Sequence, residues 1–334
     1  LMIMPDELSD PKKQLEGVNG MGTSVLKKLV EYNKTGKISL LERERSNVLH
    51  QFTKIYGVGP KKARELKDTH KISSMDELKE KQEELLNAKQ KIGLKYYDDI
   101  LERIPRSEIE EYEKNLGEIV KKIGDEKIKY EIVGSYRRGH PDSGDIDVIF
   151  SHEDNDKYTF KRVLDVLYEQ KYIIEYLSRG PVKSLVIGQV KKNGKGKPRR
   201  VDYLYSPPSE YAFATLYFTG SASFNVMMRE HAIKRGYTLN EHGIYRLIGT
   251  KKGPRVEDYP FPDEQSIFKF LGLSYKIPIE RTGPDALEIE NTIATPAKTQ
   301  TVKTTTKKKS SNVGTKTKVR KNITTYQEKG IDYL

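Results

Sequence analysis

Hydrophobic spacing divides the chain into a helical first part and a mixed second part. Apolar residues recur at helical spacing through residues 17–130, and from about residue 128 short runs with strand spacing take over. Glycines break the first pattern at Gly20–Gly22, Gly36, Gly57–Gly59 and Gly93. This arrangement predicts short helices joined by glycine turns, followed by a region that contains a sheet.

Four runs in the second part have the composition of strands. They are IKYEIVGS (128–135), DIDVIF (145–150), SLVIGQV (184–190) and RRVDYLY (199–205). Helical spacing predicts helices over 157–170, 209–235 and 263–272, and GYTLNEHGIYRL (236–247) is typical of a small hairpin.

The carboxyl-terminal stretch, residues 286–334, has no hydrophobic periodicity and is rich in Thr, Lys and Ser, which predicts a disordered basic tail. Within it, residues 298–321 carry nine Lys or Arg and no acidic residue. Removing these nine charges from the net charge of +12 leaves about +3 for the rest of the chain. Net charge therefore favours a polyanionic partner only weakly, and local motifs must carry any stronger argument.

Composition excludes several classes of protein. No run of about 18 apolar residues is present, so we expect no membrane span, and no apolar signal segment begins the sequence. Cysteine is absent, which rules out disulfides and thiolate metal sites and fits a reducing compartment.

Two similar glycine motifs lie in the helical part. GVNGMGTSVLK (17–27) and FTKIYGVGPKKAREL (52–66) both place a glycine pair before a helix, as helix-hairpin-helix motifs do. Free amides at such a helix start can bind a phosphate, and Lys61, Lys62 and Arg64 add positive charge to the second copy. The pair favours binding of DNA backbone without sequence preference, and plain helix packing is the alternative.

Two aspartates stand where an apolar strand begins. Asp145 and Asp147 precede Val148-Ile149-Phe150, and on a strand they would project from one face about 6–7 Å apart. Carboxylates placed in this way repel unless a cation lies between them, and oxygen ligands suit Mg²⁺. Asp202, in a second apolar strand, would complete the carboxylate set of a two-metal phosphoryl-transfer site. A surface strand end or a calcium loop is the alternative interpretation of a bare D-x-D.

The residues before these aspartates favour a nucleotide. Gly134-Ser135 would end one strand and start a helix, offering amides and a hydroxyl to phosphate. Arg137 and Arg138 follow, and Gly144 allows close backbone approach just before Asp145. Phosphate donors and metal carboxylates within about a dozen residues are what a triphosphate with Mg²⁺ requires.

The motif GSYRRGHPDSGDIDV resembles the nucleotidyltransferase signature of the family X DNA polymerases, and most closely that of the beta type. GVGPKKAREL, IGLKYYDDILERIPRSEI, RRVDYLY, YFTGSASFNVMMREHAIKRGYTLNEHGIY and IFKFLGLSYKIPIERT follow in the family's order, so that the resemblance covers residues 17–282. It implies an α+β fold with a mixed-sheet nucleotidyltransferase palm, amino-terminal helix-hairpin-helix modules, a small α/β thumb and a disordered tail.

The resemblance also implies domain boundaries. They are a truncated lyase-like helix-hairpin-helix module (1–44), a second helix-hairpin-helix DNA-binding subdomain (45–104), the catalytic palm (105–208), a nucleotide-selecting subdomain (209–285) and the basic tail (286–334).

Residue roles follow from the resemblance position by position. Asp145, Asp147 and Asp202 would be catalytic and hold two Mg²⁺, or Mn²⁺, with Asp202 nearest the primer 3′-hydroxyl. The residues implied to bind the incoming nucleotide are Arg103, Ser135, Arg138, Gly144, Tyr217, Phe218, Gly220 and Asn225. Those implied to bind DNA are Gly57, Gly59, Lys61, Lys62, Lys183, Arg200 and Arg229; for Arg200 a neutral strand-end arginine is the alternative.

The hairpins would hold monovalent Na⁺ or K⁺ through backbone carbonyls. In the second hairpin these belong to Thr53, Ile55 and Val58, and in the first to Val18 and Met21. Lys28 aligns with the Schiff-base lysine of 5′-deoxyribose phosphate lyase chemistry, and a solvated helix lysine is the alternative.

Three positions depart from the family pattern. Ala222 stands where an acid lies near the nucleotide base, Leu204 replaces an arginine that pairs with the metal aspartates, and Val226 replaces a lysine that stacks on the template. These changes affect fidelity and conformational switching rather than the metal ligands.

The sequence therefore predicts a template-directed repair polymerase that fills short gaps, in base excision repair, with lyase activity left open. Template-independent terminal transfer, another nucleotidyltransferase, and a DNA-binding scaffold with idle chemistry are the alternatives. The kept Tyr217-Phe218 and the short KKNGKGKP stretch favour template dependence. Expected partners are gapped or primed duplex DNA and dNTPs, with a DNA ligase or repair proteins, no membrane and a monomeric state. The expected location is the nucleus, or a cytoplasmic replication site or virion for a viral protein.

Overall fold

Short helices make up most of the described part of the first hundred residues, as the glycine-broken spacing predicts. The computed structural model describes residues 10–15, 22–45, 47–156, 158–190, 196–283 and 286–289. The first nine helices are α1 (Pro11–Gln14), α2 (Thr23–Thr35), α3 (Ser39–Arg45), α4 (Val48–Thr53), α5 (Pro60–Arg64), α6 (Met75–Glu80), α7 (Gln82–Leu85), α8 (Ala88–Lys95) and α9 (Tyr97–Leu101). A π-helical turn, Glu65–Thr69, continues α5. None of the described helices is long and apolar enough to cross a lipid bilayer.

The second glycine motif forms a helical hairpin from α4 and α5. Gly57 adopts φ +84°, a left-handed conformation that costs glycine little, and Pro60 occupies the first turn of α5. Helix α8 braces the connecting loop, because the Gln90 amide donates to the Gly57 carbonyl at 2.8 Å. A side chain at Gly93 would lie 2.5 Å from the Tyr56 carbonyl, so only glycine allows this approach. The hairpin is thus a packed unit with its own apolar core.

A mixed five-stranded sheet forms the centre of the chain, which confirms the predicted fold class. In chain order the elements are β1 (Ile104–Pro105), α10 (Arg106–Ile123), β2 (Ile128–Ile132), α11 (Gly134–Arg137), β3 (Asp142–Ser143), β4 (Ile146–His152), α12 (Thr159–Glu169), β5 (Ile173–Arg179), β6 (Lys183–Gln189) and β7 (Pro198–Tyr205). The sheet order is β2-β4-β7-β6-β5, with β4 and β7 parallel and the other neighbours antiparallel. Strands β1 and β3 form a separate two-stranded ribbon.

Strand β4 is buried on both faces, which explains its continuous apolar run. Val148 and Phe150 lie in the core beneath α10 and α12, while Ile149 packs with Val133 and Ala214 on the other face. The strand that carries Asp147 is therefore held rigidly between two layers of side chains.

The region after β7 is a smaller α/β unit. Its elements are α13 (Tyr211–Thr219), α14 (Ala222–Lys234), β8 (Tyr237–Asn240), β9 (Gly243–Ile248), β10 (Lys251–Arg255), α15 (Glu264–Phe270) and a 3₁₀ turn (Pro278–Glu280). The three strands form an antiparallel sheet in the order β10-β9-β8. The hairpin predicted over 236–247 is its β8–β9 pair.

The structure divides one predicted helical stretch and contains two strands that were not predicted. The helix predicted over 209–235 is two helices, because Gly220 at φ +66° ends α13. Strand β5 was not predicted, since its apolar residues follow a helix with only Lys171, at φ +62°, as a break. Strand β10 (KKGPR) was also missed, because it has no apolar residue and only its backbone pairing with β9 identifies it.

A buried carboxylate joins the palm to the smaller unit. Glu264, at the start of α15, accepts hydrogen bonds from Arg137 at 2.8 and 3.1 Å and from Arg281 at 2.6 Å. Arg137 also donates to Glu131 at 2.6 Å and to the Thr219 hydroxyl at 2.9 Å. Because Arg281 is fully buried and Glu264 is 7% exposed, each charge depends on the others for its stability.

We predict that Glu264→Ala lowers the free energy of unfolding by about 3–5 kcal/mol, since it leaves two guanidinium groups without their shared partner. Urea denaturation followed by circular dichroism measures the change. The matched control is Asp258→Ala, which removes an exposed partner of Arg246 at 2.6 Å and should cost about 1 kcal/mol or less. Equal losses in the two variants would contradict the structural role of Glu264.

Candidate active site

Parallel pairing of β4 and β7 sets two carboxylates side by side. Asp147 and Asp202 are direct partners in the register of these strands. Asp145 lies one residue before β4 begins at Ile146, outside the strand that was predicted to carry both aspartates. It nonetheless reaches the same place, because Arg200 contacts both Asp145 and Asp202.

Burial makes the two paired carboxylates weak acids. Desolvation and the neighbouring Asp202 charge raise the pKa of Asp147 to about 7, against smaller opposing effects of Lys183 and Arg138. Burial also raises the pKa of Asp202, and Arg200 and Lys183 oppose it. The site therefore concentrates negative charge where water cannot stabilise it, which is the condition that a bound cation relieves.

The donors at this site fit a divalent metal of the Mg²⁺ type in their chemistry. Asp202 has one buried oxygen, Oδ1, without a hydrogen-bond partner, and every candidate ligand is a hard carboxylate oxygen. Asp145, however, is paired with Arg200. Within the part of the chain that the structure describes, no group of three acidic, histidine or cysteine side chains is arranged to hold a metal. Metal loading would therefore require Asp145 to exchange Arg200 for the ion.

The predicted phosphate turn lies directly against Asp147. Helix α11 begins at Gly134, as predicted, with φ +65°, and a side chain there would meet Asp147 Oδ2 at 2.8 Å. The Ser135 hydroxyl donates to the Ser143 hydroxyl at 2.7 Å. Only glycine can bring this turn so close to the carboxylate, so the turn and the metal candidates form one site.

The two arginines predicted for the triphosphate are held by partners within the protein. Arg138 donates to the Thr219 carbonyl at 2.6 Å, and burial lowers its pKa while Asp147 opposes that shift. Arg103 pairs with Asp142 at 2.6 Å and passes 3.2 Å from where a side chain would stand at Gly144. A phosphate would replace these contacts rather than meet free cations.

The predicted sugar-side residues gather around the α13–α14 junction. The Gly220–Ser221 peptide bond is cis, and the Asn225 amide donates to the Tyr217 carbonyl at 2.7 Å. Tyr217 packs edge-to-face on Phe218 with ring centroids 5.1 Å apart. A shallow groove brings Tyr217, Asn225 and Arg229 together; its other lining residues are Phe213, Leu216, Met228, Leu239 and Asn240. Ala222 and Val226, two of the departures from the family pattern, are exposed on α14.

Leu204, the third departure, is buried on β7, and its register partner on β6 is Lys183. Lys183 was expected only to bind DNA. The structure also places it on the strand beside β7, where its positive charge opposes the rise in the pKa of Asp147 and of Asp202. No local pattern in the sequence indicates this effect of Lys183, since it depends on the register of β6 against β7.

The second hairpin presents a separate surface. Gly57, Gly59 and Lys61 are exposed, whereas Lys62 pairs with Glu65 at 2.6 Å. Of the candidate cation-binding carbonyls, that of Ile55 already accepts the Val58 amide at 2.9 Å. Thr53 ends α4, and Val58 is buried in the hairpin core.

Val18 and Met21, the two residues predicted to bind a cation in the first hairpin, lie outside the described residues. Lys28 lies half-buried on α2.

Sequence reasoning missed the partners of the predicted residues. It named Arg137 only as part of an Arg-Arg pair, and it did not identify Asp142, Ser143 or Thr219. The HPDSGD stretch contains two of these partners, but nothing in their spacing shows that β3 folds back onto β1.

Comparison with known proteins gives a consistent result. Three family models match consecutive segments: the fingers domain of DNA polymerase lambda (50–101), the DNA polymerase beta palm (103–208) and the DNA polymerase beta thumb (214–282).

Curated relatives agree with these matches. DNA polymerase lambda of Rattus norvegicus is 33% identical over 284 residues, which cover 79% of this chain and 48% of the relative. DNA polymerase lambda of Arabidopsis thaliana is 31% identical over 290 residues, covering 80% and 53%. DNA nucleotidylexotransferase of Xenopus laevis is 27% identical over 316 residues, covering 80% and 59%. The chain thus spans about half the length of the curated relatives it matches.

We predict that Asp147→Asn stabilises the metal-free protein at high pH. Because the folded pKa is about 7 against an ordinary 3.8, wild-type stability falls as pH rises from about 4 through 7, and the amide avoids this loss. Thermal unfolding in EDTA should give the variant a Tm about 2–4 °C above wild type at pH 8 and a smaller excess at pH 5.

Magnesium provides the second half of this test. Millimolar Mg²⁺ should raise the Tm of the wild type at pH 8, since it binds the charged Asp147–Asp202 pair. The Tm difference between Asp147→Asn and the wild type should therefore become smaller. Asp76→Asn, which changes a carboxylate with a 91% exposed side chain, should match wild type throughout. A Tm difference independent of both pH and Mg²⁺ would exclude this account of the site.

Proposed function

The chain belongs to family X of the DNA polymerases, and we propose that it copies a DNA template by adding deoxynucleotides to a primer 3′-hydroxyl in short gaps. Repair of damaged DNA, including base excision repair, is the setting we propose. The observation that carries the proposal is the register pair Asp147–Asp202 directly beside the Gly134 turn. That arrangement joins a place for metal ions to a place for phosphate, which is what nucleotidyl transfer requires.

Members of this family use divalent metal ions, and we propose two Mg²⁺, or Mn²⁺ in their place, on Asp145, Asp147 and Asp202. When bound, the ions would stabilise the negative charge of the attacking and leaving oxygens. Asp202, whose pKa burial raises, would take the proton of the primer 3′-hydroxyl at Oδ1, which has no hydrogen-bond partner.

Residues of the phosphate turn would position the incoming nucleotide. Arg138 and Arg103 would exchange Thr219 and Asp142 for the triphosphate, and Ser135 with the backbone near Gly144 would complete its binding. In-line attack on the α-phosphate would then release pyrophosphate toward these arginines.

Residues of the α13–α14 junction would select the nucleotide. The turn at Tyr217, Phe218 and Gly220 would lie against the sugar and exclude a ribose 2′-hydroxyl. Asn225 and Arg229, which line one groove, would contact the minor groove, where the acceptors are alike for every correct pair. Such contacts verify pairing geometry without reading sequence.

The remaining assignments are proposed on the same basis. We propose that the domains end at residues 44 (first helix-hairpin-helix module), 104 (second helix-hairpin-helix subdomain), 208 (catalytic palm) and 285 (nucleotide-selecting subdomain). The hairpin residues Gly57, Gly59, Lys61 and Lys62, with Lys183 and Arg200, would hold DNA, and the hairpin carbonyls would hold Na⁺ or K⁺. We propose a monomer in the nucleus, or at a viral replication site or in a virion, working with a DNA ligase or other repair proteins. Lys28 would be the nucleophile of a 5′-deoxyribose phosphate lyase activity.

Template-independent transfer is the second candidate, favoured by the match to DNA nucleotidylexotransferase. The two candidates differ in whether nucleotide addition needs a paired template strand. An assay that compares a single-stranded primer with a gapped duplex distinguishes the two candidate functions.

We predict that the intact chain adds only the template-matched dNTP to a one-nucleotide gapped duplex in Mg²⁺. Asp202→Asn should lower the rate by about 100-fold or more, because it removes both a metal ligand and the proton acceptor. Asp154→Asn, an exposed palm aspartate paired with Lys127, is the control and should retain full activity. Addition on the single-stranded primer alone would favour the transferase, and no addition on any primer would refute both.

A further inference from the structure

One carboxylate beside the candidate active site has no place in the proposed chemistry. Asp142 lies three residues before Asp145 in the chain, and its side chain pairs with Arg103, which is proposed to bind the triphosphate. A negative charge at this place opposes the binding of phosphate, because like charges repel. Its effect on the affinity of the site therefore has to be unfavourable wherever it acts.

Arg103 binds Asp142 through several hydrogen bonds at once. Nε donates to Oδ1 at 3.0 Å, and Nη2 donates to the same oxygen at 2.6 Å and to the Asp142 carbonyl at 3.0 Å. Within the described residues Nη1 makes no hydrogen bond, and it lies 3.2 Å from where a side chain at Gly144 would begin. The carboxylate thus occupies most of the donors that the oxygens of a polyphosphate would use.

The β1–β3 ribbon brings the two partners together through its backbone. Pro105 is the register partner of Asp142, and the Arg106 amide donates to the Pro141 carbonyl at 2.9 Å. Arg103 stands just before this ribbon in the chain. Because the pairing does not use the Asp142 side chain, we expect the ribbon to persist when that charge is removed.

The partners of the other two arginines at the site differ from Asp142. Arg138 binds a neutral backbone carbonyl. Arg200 binds Asp145, which is itself a proposed metal ligand and would pass from the arginine to the ion. Of these three partners, only Asp142 is a charged group that would find no new partner when a nucleotide binds. It therefore keeps its attraction for its arginine throughout.

Exposure makes the Arg103–Asp142 pair easy to exchange. The two side chains are 56% and 46% exposed. An ion pair at this exposure stabilises a protein only slightly and is screened by salt. A polyphosphate can consequently displace the carboxylate, and the pair can form again when the polyphosphate leaves.

We propose that Asp142 is an internal competitor of the incoming nucleotide and of pyrophosphate for Arg103. Its carboxylate lowers the affinity of the site for both anions, and its return to Arg103 promotes the departure of pyrophosphate after each addition. This inference rests on the proposed function, since it takes the polymerase substrate and product as the ligands.

Isothermal titration calorimetry of the full chain with dATP or pyrophosphate, each in excess Mg²⁺, measures this competition. Asp142→Asn keeps the size of the side chain and removes its charge, so both Kd values should fall about three- to fivefold. High salt should make this difference smaller, because the pair is exposed. Damage to the fold would weaken binding, so a tightening of binding identifies competition.

Two variants serve as controls for this titration. Glu110→Gln removes a similarly exposed carboxylate that pairs with Arg106 at 3.0 Å, and it should leave both Kd values unchanged. Asp142→Glu keeps the charge and should stay within about twofold of the wild type. Thermal unfolding checks that every variant is folded.

Primer extension separates this inference from the proposed function. In the gapped-duplex assay Asp142→Asn should lower the KM for the matched dNTP, and added pyrophosphate should inhibit the variant at about three- to fivefold lower concentration. A wild-type chain that binds dATP and pyrophosphate but extends no primer would refute the proposed function, while the comparison of Kd values would still decide the role of Asp142.

Three results would overturn the proposal. The first is an equal or higher Kd for both ligands in Asp142→Asn than in the wild type. The second is equal tightening by Glu110→Gln, which would show that net charge governs binding and not the pair with Arg103. The third is a failure of both ligands to bind either the wild type or Asp142→Asn.

Discussion

The candidate active site depends on one constraint: two like charges are fixed side by side where water is scarce. Parallel pairing of β4 and β7 makes Asp147 and Asp202 neighbours, and the apolar layers on both faces of β4 prevent them from separating. Repulsion that would be minor in water therefore persists. The surrounding features reduce this repulsion or depend on it. A glycine lets the predicted phosphate turn approach Asp147, and positive side chains on adjacent elements lie close to the two carboxylates. The fold positions the charge, and the charge determines what can bind.

Positive groups around this pair are occupied in the absence of ligands. Arg200 holds Asp145, Arg103 holds Asp142, and Arg138 binds the Thr219 carbonyl. Binding of the proposed metal and nucleotide would then be an exchange of partners, in which each broken contact offsets part of each new one. Such an exchange would favour a ligand that supplies a cation and a phosphate together over a ligand that supplies only one of them. The cation would pair with the released carboxylates, and the phosphate would pair with the released arginines.

The residue pattern predicted those features that depend on neighbouring residues in the sequence. It did not predict those features that depend on the register between strands. The apolar strand that carries Asp147, the Gly134 helix start and the α+β class all follow from local spacing and composition. Strand β10 could not be predicted, since its polar residues are defined only by pairing with β9. The effect of Lys183 on the aspartates, and the partnership of Arg103 with Asp142, needed the register of strands far apart in the chain. Long-range pairing is set by the whole fold, which no short window of sequence contains.

The shared carboxylate of Glu264 has an evolutionary consequence. Its partners lie 127 and 17 positions away, yet their charges must balance within a few ångströms. Loss of Glu264 leaves the buried Arg281 guanidinium without a carboxylate partner, and loss of either arginine removes a hydrogen-bond donor from the buried Glu264, so the three positions cannot drift independently. Among related chains, Arg137, Glu264 and Arg281 should therefore be retained or replaced as a set, and their covariation would record the palm–thumb contact in sequences alone.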